Sequence, residues 1–279
     1  MILKIFKKRK NKIAAVMMEP LAVAEPKCYG SKDCQKKICK EFCQNNFLHE
    51  VKKIAKQNGA VLIFDEVVTG FRFSLGGAQE LTGVTPDLTA LAKAMSNGVP
   101  ISAIVGKKRI MKLLDKTFFS FTYGGDCIGL SAAKATIEKI QKKNVIRHIY
   151  KMGEHLKFGI NSLSKKYGLQ DIIKCVGYPC RSILSINGNQ KFNDLEIKTF
   201  IQQELFKRGI LWAAYHTISW SHKKKEIEKT LNAFSDVFDI FQRKFIKGNL
   251  KIKNSLEGRM LKPVFRKVAD FNSYITKKK

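Results

Sequence analysis

The sequence contains no long apolar run, and this absence excludes the simplest kind of membrane protein. Nowhere in its 279 residues does an uninterrupted hydrophobic stretch approach the roughly 18 residues that a transmembrane helix needs. The first ten residues do not fit the pattern of a secretory signal, because they place their charges after a very short apolar run, whereas a signal peptide places them before a run of about 7–15 residues. We therefore expect a cytoplasmic protein without a membrane partner.

Acidic residues are scarce, with 23 Asp and Glu against 52 Lys and Arg, so the formal net charge is +29. Such a charge suits a nucleic acid or an anionic membrane, because clustered cations release counterions when they neutralise phosphates. The cations here are spread along the whole chain, and the standard nucleic-acid recognition motifs are absent. A lysine-rich composition explains the charge better than nucleic-acid binding, which stays open as an alternative function.

The seven cysteines include no C-x2-C pair of the kind found in common zinc sites. Four of them crowd one short stretch, which makes zinc or an iron–sulfur cluster an alternative to consider. Their spacing favours free thiols in a lysine-rich loop, and we expect no metal. The four residues are Cys28, Cys34, Cys39 and Cys43.

The first part of the chain alternates short apolar runs with an amphipathic helix. Runs at 12–20 and 60–64 flank a helix predicted over 46–58, and this order predicts a parallel α/β sheet with a right-handed crossover. Ligands of such sheets bind at the carboxyl ends of the strands, which is where Asp65 and Glu66 follow the second run. Further strands are predicted at 86–93 and 101–105, and a further helix at 127–142.

Beyond about residue 144 the pattern changes to longer amphipathic helices. We expect a smaller α+β domain at 145–247 packed on the first domain, which would span 1–144, followed by a basic tail at 248–279. In the second domain the predicted helices cover 146–166, 195–208 and 223–246, and the predicted strands cover 181–186 and 210–215.

Three separate features of the first domain could carry chemistry. Lys93 ends an apolar run, and burial there would lower its pKa and provide a nucleophilic amine for a Schiff base. Asp65 stands at a strand end, and Thr122 opens a glycine turn that leads into a helix, a setting that suits a phosphate. Taken singly, each has a plain alternative: a surface lysine, a carboxylate that caps a turn, and a tight turn with Asp126 as the N-cap.

The order of the motifs along the chain favours the chemical roles of these residues over the structural alternatives. Five segments follow one another in the spacing that is typical of one enzyme family, and looser similarity continues to about residue 265 through Gly177-Tyr-Pro179 and Arg208-Gly-Ile-Leu-Trp212. The block resembles the core of the class III aminotransferases, and most closely the glutamate-1-semialdehyde 2,1-aminomutase branch and its polysaccharide-biosynthesis relatives. The five segments are Asp65-Glu-Val67-Val-Thr-Gly-Phe-Arg72, Leu75-Gly-Gly-Ala-Gln79, Gly83-Val-Thr-Pro-Asp87-Leu-Thr, Lys93, and Phe121-Thr122-Tyr-Gly-Gly.

This resemblance implies an α/β fold of the type I pyridoxal-phosphate (PLP) transferases, with 1–144 as part of the PLP-binding large domain. It also implies roles for single residues. Lys93 would form the Schiff base and shuttle a proton, Asp65 would pair with the pyridinium nitrogen, and Val67 would pack on the ring. Thr122 would bind the phosphate of the partner subunit's cofactor, which implies a homodimer. Glu19 lies near the active site in relatives, and we interpret it as structural.

The implied reaction is transfer of an amino group from a small-molecule donor to a keto, aldehyde or keto-sugar acceptor, by an aminotransferase or an aminomutase. Asp126 stands where many relatives have Asn, which favours the polysaccharide-type branch. Relatives also carry upstream phosphate-binding and aromatic motifs that residues 1–11 cannot supply. We therefore expect an N-terminally truncated chain, or half of a split enzyme whose N-terminal half is separately encoded. A catalytically inactive remnant is the second interpretation.

Overall fold

The computed structural model describes residues 2–21 and 46–262, and the chain divides after Tyr150 into two compact units. The predicted cysteine cluster at 28–43 lies outside the described residues. In the described parts of the chain no helix is both long enough and apolar enough to cross a membrane.

The N-terminal unit contains a four-stranded sheet in the order β1-β2-β3-β4. The first three strands are parallel, and β4 is antiparallel to β3. This arrangement confirms the mostly parallel sheet that the sequence predicts. The strands are β1 Ala15–Met18, β2 Val61–Asp65, β3 Leu88–Leu91 and β4 Ala103–Gly106.

Three of the helices that begin in this unit, α2, α5 and α6, match the predicted spans closely. The N-cap of α2 is Asn46, whose side chain accepts a hydrogen bond from the N–H of His49 at 3.0 Å, as a capping asparagine should. Helix α5 begins at Cys127 and ends at Lys142, as predicted. The helices are α1 Ile2–Lys8, α2 Phe47–Gln57, α3 Gly77–Thr82, α4 Lys108–Met111, α5 Cys127–Lys142 and α6 Val145–Lys166, the last of which continues into the second unit.

The C-terminal unit is built on an antiparallel sheet in the order β5-β6-β7. The strand predicted at 210–215 is wrong, because Ala214 has a φ of +75° and strand pairing begins only at Tyr215, opposite Ile183. The pattern also failed to predict β5. The elements are β5 Ile173–Tyr178, β6 Arg181–Ile186, α7 Asp194–Lys207, β7 Tyr215–Thr217 and α8 Lys224–Phe241, after which a π-helical turn covers Gln242–Lys247.

Aromatic side chains from α7, α8 and the π-helical turn form the core of the C-terminal unit. Phe200 meets Phe245 edge-on, with ring centroids 4.9 Å apart. Residues 248–262 return along α7, where the side chain of Gln203 bonds to the carbonyl of Ser255 at 3.1 Å and to the N–H of Glu257 at 2.8 Å. The fully buried phenylalanines of this core are Phe200, Phe234, Phe238, Phe241 and Phe245.

Candidate active site

Asp65 and Lys93 follow two adjacent parallel strands at the same edge of the sheet. Asp65 is the last residue of β2 and lies opposite Ala90 of β3. Lys93 comes two residues after the end of β3, where it begins the short 3-10 turn Lys93–Met95. Since the carboxyl ends of parallel strands share one edge, the fold brings these two predicted residues to the same side of the sheet.

Lys93 is exposed in this chain, so the predicted burial of its side chain is wrong. The strand ends at Leu91, and Lys93 turns away from it with a φ of +47°. That left-handed backbone is rare for a residue with a side chain and costs about 1–3 kcal/mol. Strain of this kind is concentrated at active sites in proteins generally. The backbone conformation of Lys93 is therefore more informative about its role than the exposure of its side chain.

Asp65 is half-buried and caps the turn that follows its strand. Its Oδ1 atom accepts a hydrogen bond from the N–H of Val67 at 3.1 Å. The alternative interpretation of Asp65, as a carboxylate that caps a turn, therefore corresponds to an observed contact. The contact fixes the backbone of Val67 in the turn directly after the strand.

Glu66 differs from Asp65 in being fully buried. Its carboxylate accepts hydrogen bonds from Thr69 at 2.8 Å and from the backbone N–H groups of Ala78 and Gln79. The sequence pattern places chemistry at this strand end but gives no sign that the second carboxylate is bound by a loop twelve residues away. A glycine pair directly before Ala78 is the one local signal that a close approach occurs there.

Thr122 lies in the turn that precedes α5, as the sequence predicts, and its side chain is exposed. Asp126 is the N-cap of the helix, where its carboxylate accepts the N–H of Gly129 at 2.8 Å. This carboxylate already occupies one of the N-terminal donors that an anion would use. Phe118 and Tyr123 beside the turn are 95% and 81% exposed, so the turn lies on an apolar surface.

Two clefts among the described residues lie near the ends of the strands but do not include the predicted site residues. One, of about 550 Å³, reaches the end of β3 at Leu91 and is bordered by Phe71 and Gln79. The other, of about 610 Å³, is lined by Phe73 and Tyr150 among others. Neither is lined by Asp65, Val67, Lys93 or Thr122.

The sequence model of the family "Aminotransferase class-III" matches residues 1–238 of this chain. The chain belongs to the class-III aminotransferase family. It is 32% identical over 241 residues to the glutamate-1-semialdehyde 2,1-aminomutase of Francisella tularensis subsp. tularensis (strain WY96-3418), a match that covers 81% of this chain and 53% of the relative. The enzyme of that name from Akkermansia muciniphila is 30% identical over 82% of this chain and 54% of the relative. The chain thus spans about half the length of these relatives.

Solved structures agree with the family at the level of the fold. The FumI protein of Sphingopyxis sp. MTA144, in its PLP internal aldimine form, superposes with a TM-score of 0.74 at 23% identity, over 88% of this chain and 56% of its own. An omega-transaminase from Sphaerobacter thermophilus gives a TM-score of 0.72 at 21% identity, over 85% and 54% of the two chains. The predicted fold class, the type I fold of PLP transferases, is confirmed.

Class-III aminotransferases are PLP-dependent enzymes, and the described residues of this family member fit that cofactor by their chemistry. A primary amine at Lys93 and a carboxylate at Asp65 stand at neighbouring strand ends. Thr122 and the glycine turn after it offer a hydroxyl and backbone N–H groups before a sixteen-residue helix. This set contains the three kinds of donor and acceptor that the aldehyde, the ring nitrogen and the phosphate require.

Proposed function

We propose that this chain carries the catalytic lysine and aspartate of a PLP-dependent aminotransferase or aminomutase. The reaction would move an amino group between a small-molecule amino donor and a keto, aldehyde or keto-sugar acceptor. One observation carries the proposal: in a member of the class-III family, the strained Lys93 and the carboxylate of Asp65 follow adjacent parallel strands at one edge of the sheet.

Each residue has a definite task in this proposal. Lys93 holds the cofactor covalently through Nζ and later moves a proton at the same atom. Asp65 accepts a hydrogen bond from the ring nitrogen and keeps that nitrogen protonated, while Val67 packs against the ring. When bound, the cofactor supplies the electron sink for the negative charge that develops on the substrate carbon.

Thr122 is proposed to act across a homodimer, by binding the phosphate of the cofactor in the partner subunit. The exposed aromatic surface around it supports this role, because soluble proteins rarely leave a continuous apolar patch uncovered. Phe119 and Phe121 meet edge-on at 5.3 Å and are both more than half exposed. A second copy of the chain would remove these rings from water.

The substrate class is proposed from two features that point in different directions. The curated relatives are named as aminomutases of glutamate-1-semialdehyde. Asp126, in contrast, favours the polysaccharide-type branch, in which the acceptor is a keto sugar. We therefore propose an amino-bearing metabolite as donor and leave both acceptor classes within the proposal.

A second candidate is a catalytically inactive family member that acts only as an interaction partner of another protein. The exposure of Lys93 and Thr122 favours it, because a PLP lysine works best in a site that excludes water. For the same reason we expect the 279-residue chain to bind PLP weakly when it is alone.

A titration with PLP, followed by visible absorbance, tests both candidates. We expect a saturable band in the wild-type chain, which Lys93→Ala abolishes and Lys107→Ala preserves. Loss of this band on addition of an amino donor would support the enzyme. A band that no amino donor changes would favour the inactive member, and a chain without a Lys93-dependent band would contradict the proposed function.

A further inference from the structure

The carboxylate of Glu66 is fully buried beside Asp65, and it holds the loop that follows β2. Its Oε2 atom accepts hydrogen bonds from the hydroxyl of Thr69 at 2.8 Å and from the N–H of Ala78. Its Oε1 atom accepts from the backbone N–H of Gln79 at 3.2 Å and from the side-chain amide of Gln79 at 3.1 Å. These donors occupy both lone pairs of each oxygen, so the buried carboxylate is fully compensated.

Gln79 extends this network to the next strand. Its Nε2 atom also lies 3.3 Å from the hydroxyl oxygen of Thr89, which is buried in β3. Thr89 lies opposite Phe64 in the register of the sheet. One amide group therefore connects the residue after β2 with the middle of β3.

Two glycines allow the loop to approach so closely. Gly77 has a φ of +75°, and a Cβ atom at this position would collide with the carboxylate of Glu66. A Cβ at Gly70 would lie 2.7 Å from the side chain of Leu91 and 2.9 Å from the carbonyl oxygen of Glu66. The segment from 66 to 79 is thus packed directly against the ends of β2 and β3.

We propose that Glu66 and Gln79 are positioning residues, which fix the distance between Asp65 and Lys93. This inference rests on the proposed function. Asp65 is covalently adjacent to Glu66, and Lys93 lies two residues beyond the end of β3, the strand in which Thr89 bonds to Gln79. The contacts of Glu66 and Gln79, here called the Glu66–Gln79 latch, therefore act on both strand ends at once.

The choice of residues supports a positioning role over simple loop attachment. Apolar packing can hold a loop without the cost of burying a carboxylate, which is several kcal/mol before its partners compensate it. Hydrogen bonds fix direction and distance in a way that apolar contacts do not. A latch of five hydrogen bonds beside the strand ends is suited to holding two side chains in a fixed relation.

The first test measures amide hydrogen exchange in the unloaded 279-residue chain. Gln79→Met and Thr89→Val each remove one partner of the hydrogen bond between Gln79 and Thr89. In both variants we expect about tenfold faster exchange in the peptides that cover 63–67 and 88–95. Thr89→Ser, which keeps the hydroxyl, should stay close to wild type. Glu80→Gln is the matched control, because the described contacts of Glu80 stay within its own loop, with the N–H of Gly76 at 2.7 Å and with the side chain of Ser74. Faster exchange confined to 74–82 would overturn the proposal.

The second test separates positioning from stability. In the PLP-loaded chain we expect the pH midpoint of the visible band to shift in Gln79→Met and Thr89→Val and to return in Thr89→Ser, with thermal midpoints compared in parallel. An unchanged pH midpoint, despite faster exchange at both strand ends, would overturn the positioning role. A wild-type chain without any visible band would remove the proposed function and the positioning role together, while the exchange data would still decide whether the latch exists.

Discussion

Trp212 donates its indole N–H to Nε2 of His216 at 3.1 Å, inside the C-terminal unit. On its other side, Nδ1 of His216 lies 3.1 Å from the hydroxyl oxygen of Ser182 and 3.7 Å from the sulfur of Cys175. The imidazole is buried. Because the indole N–H can only donate, Nε2 of His216 must accept this hydrogen bond and therefore carries no proton. Burial lowers the pKa of His216 from 6.5 to about 4.

This histidine should make the C-terminal unit sensitive to acid. The pKa in the folded chain is below that in the unfolded chain, so the unfolded state binds more protons between the two values. Stability is therefore fully present above about pH 6.5 and falls by about 3 kcal/mol as the pH drops to about 4. Urea unfolding followed by tryptophan fluorescence measures it, since both tryptophans, Trp212 and Trp220, lie in this unit.

Two variants show whether His216 causes that pH dependence. His216→Gln should be less stable at neutral pH and should lose most of the slope between about pH 6.5 and 4. His155→Gln is the control, because His155 is partly exposed and pairs with Glu228 at 3.1 Å. An equal slope in wild type and His216→Gln would mean that other groups cause the acid sensitivity.

Lys93 should be the sole lysine that bonds covalently to PLP. Its place just after β3, at the same edge of the sheet as Asp65 on the neighbouring strand, is the reason for this expectation. Borohydride reduction of the loaded chain, followed by peptide mapping, identifies the labelled residue. A label on another lysine, with Lys93 unmodified, would remove the assignment.

Asp65→Asn should leave the fold intact and slow the chemical step by about a thousandfold, equivalent to about 4 kcal/mol, because the ring nitrogen loses the charge that keeps it protonated. The turn can survive, since an asparagine oxygen still accepts the N–H of Val67. Single-turnover absorbance changes with an amino donor measure this step. Asp115→Asn, an exposed site, should behave as wild type. Near-normal rates in Asp65→Asn would leave the carboxylate with only its capping role.

Gly77→Ala should destabilise the N-terminal unit far more than Gly59→Ala. Both glycines have positive φ, +75° and +67°, so both substitutions carry backbone strain of about 1–2 kcal/mol. Only at Gly77 would the new methyl group collide with the Glu66 carboxylate, and there we expect a total loss of about 3 kcal/mol or more. Guanidinium unfolding followed by far-ultraviolet circular dichroism compares them. Equal losses would show that the loop moves away from Glu66 without cost.

The aromatic surface around Thr122 should drive self-association. Replacing Phe118 and Tyr123 by serine should shift the chain toward the monomer in analytical ultracentrifugation, because these rings are almost fully exposed in the single chain. Phe158→Ser is the matched control, since Phe158 is 74% exposed in the other unit. A wild-type chain that is monomeric at all concentrations would contradict the proposed homodimer.

The sequence by itself determined the local elements that depend on short-range signals. The period of the apolar residues and the capping Asn46 give α2, and the run of apolar residues before Asp65 gives β2. The strand, helix and strand pattern predicted a parallel α/β sheet, because few topologies fit such an order. Both carboxylates, Asp65 and Glu66, were placed at the correct end of their strand for the same reason. The family came separately, from the resemblance of the ordered motifs to class III aminotransferases, which the family match bears out.

Tertiary structure alone decided how those residues are used. Lys93 is exposed because the chain turns through a left-handed conformation after Leu91, and no local pattern reports that turn. Ala214 has a similar left-handed backbone within the strand predicted at 210–215, and the observed strand β7 begins only after it. Glu66 is buried because a loop more than ten residues away brings Ala78 and Gln79 against it, and such a contact depends on the path of the chain in space. Burial and long-range hydrogen bonds are properties of the packed molecule, which neighbouring residues in the sequence cannot encode on their own.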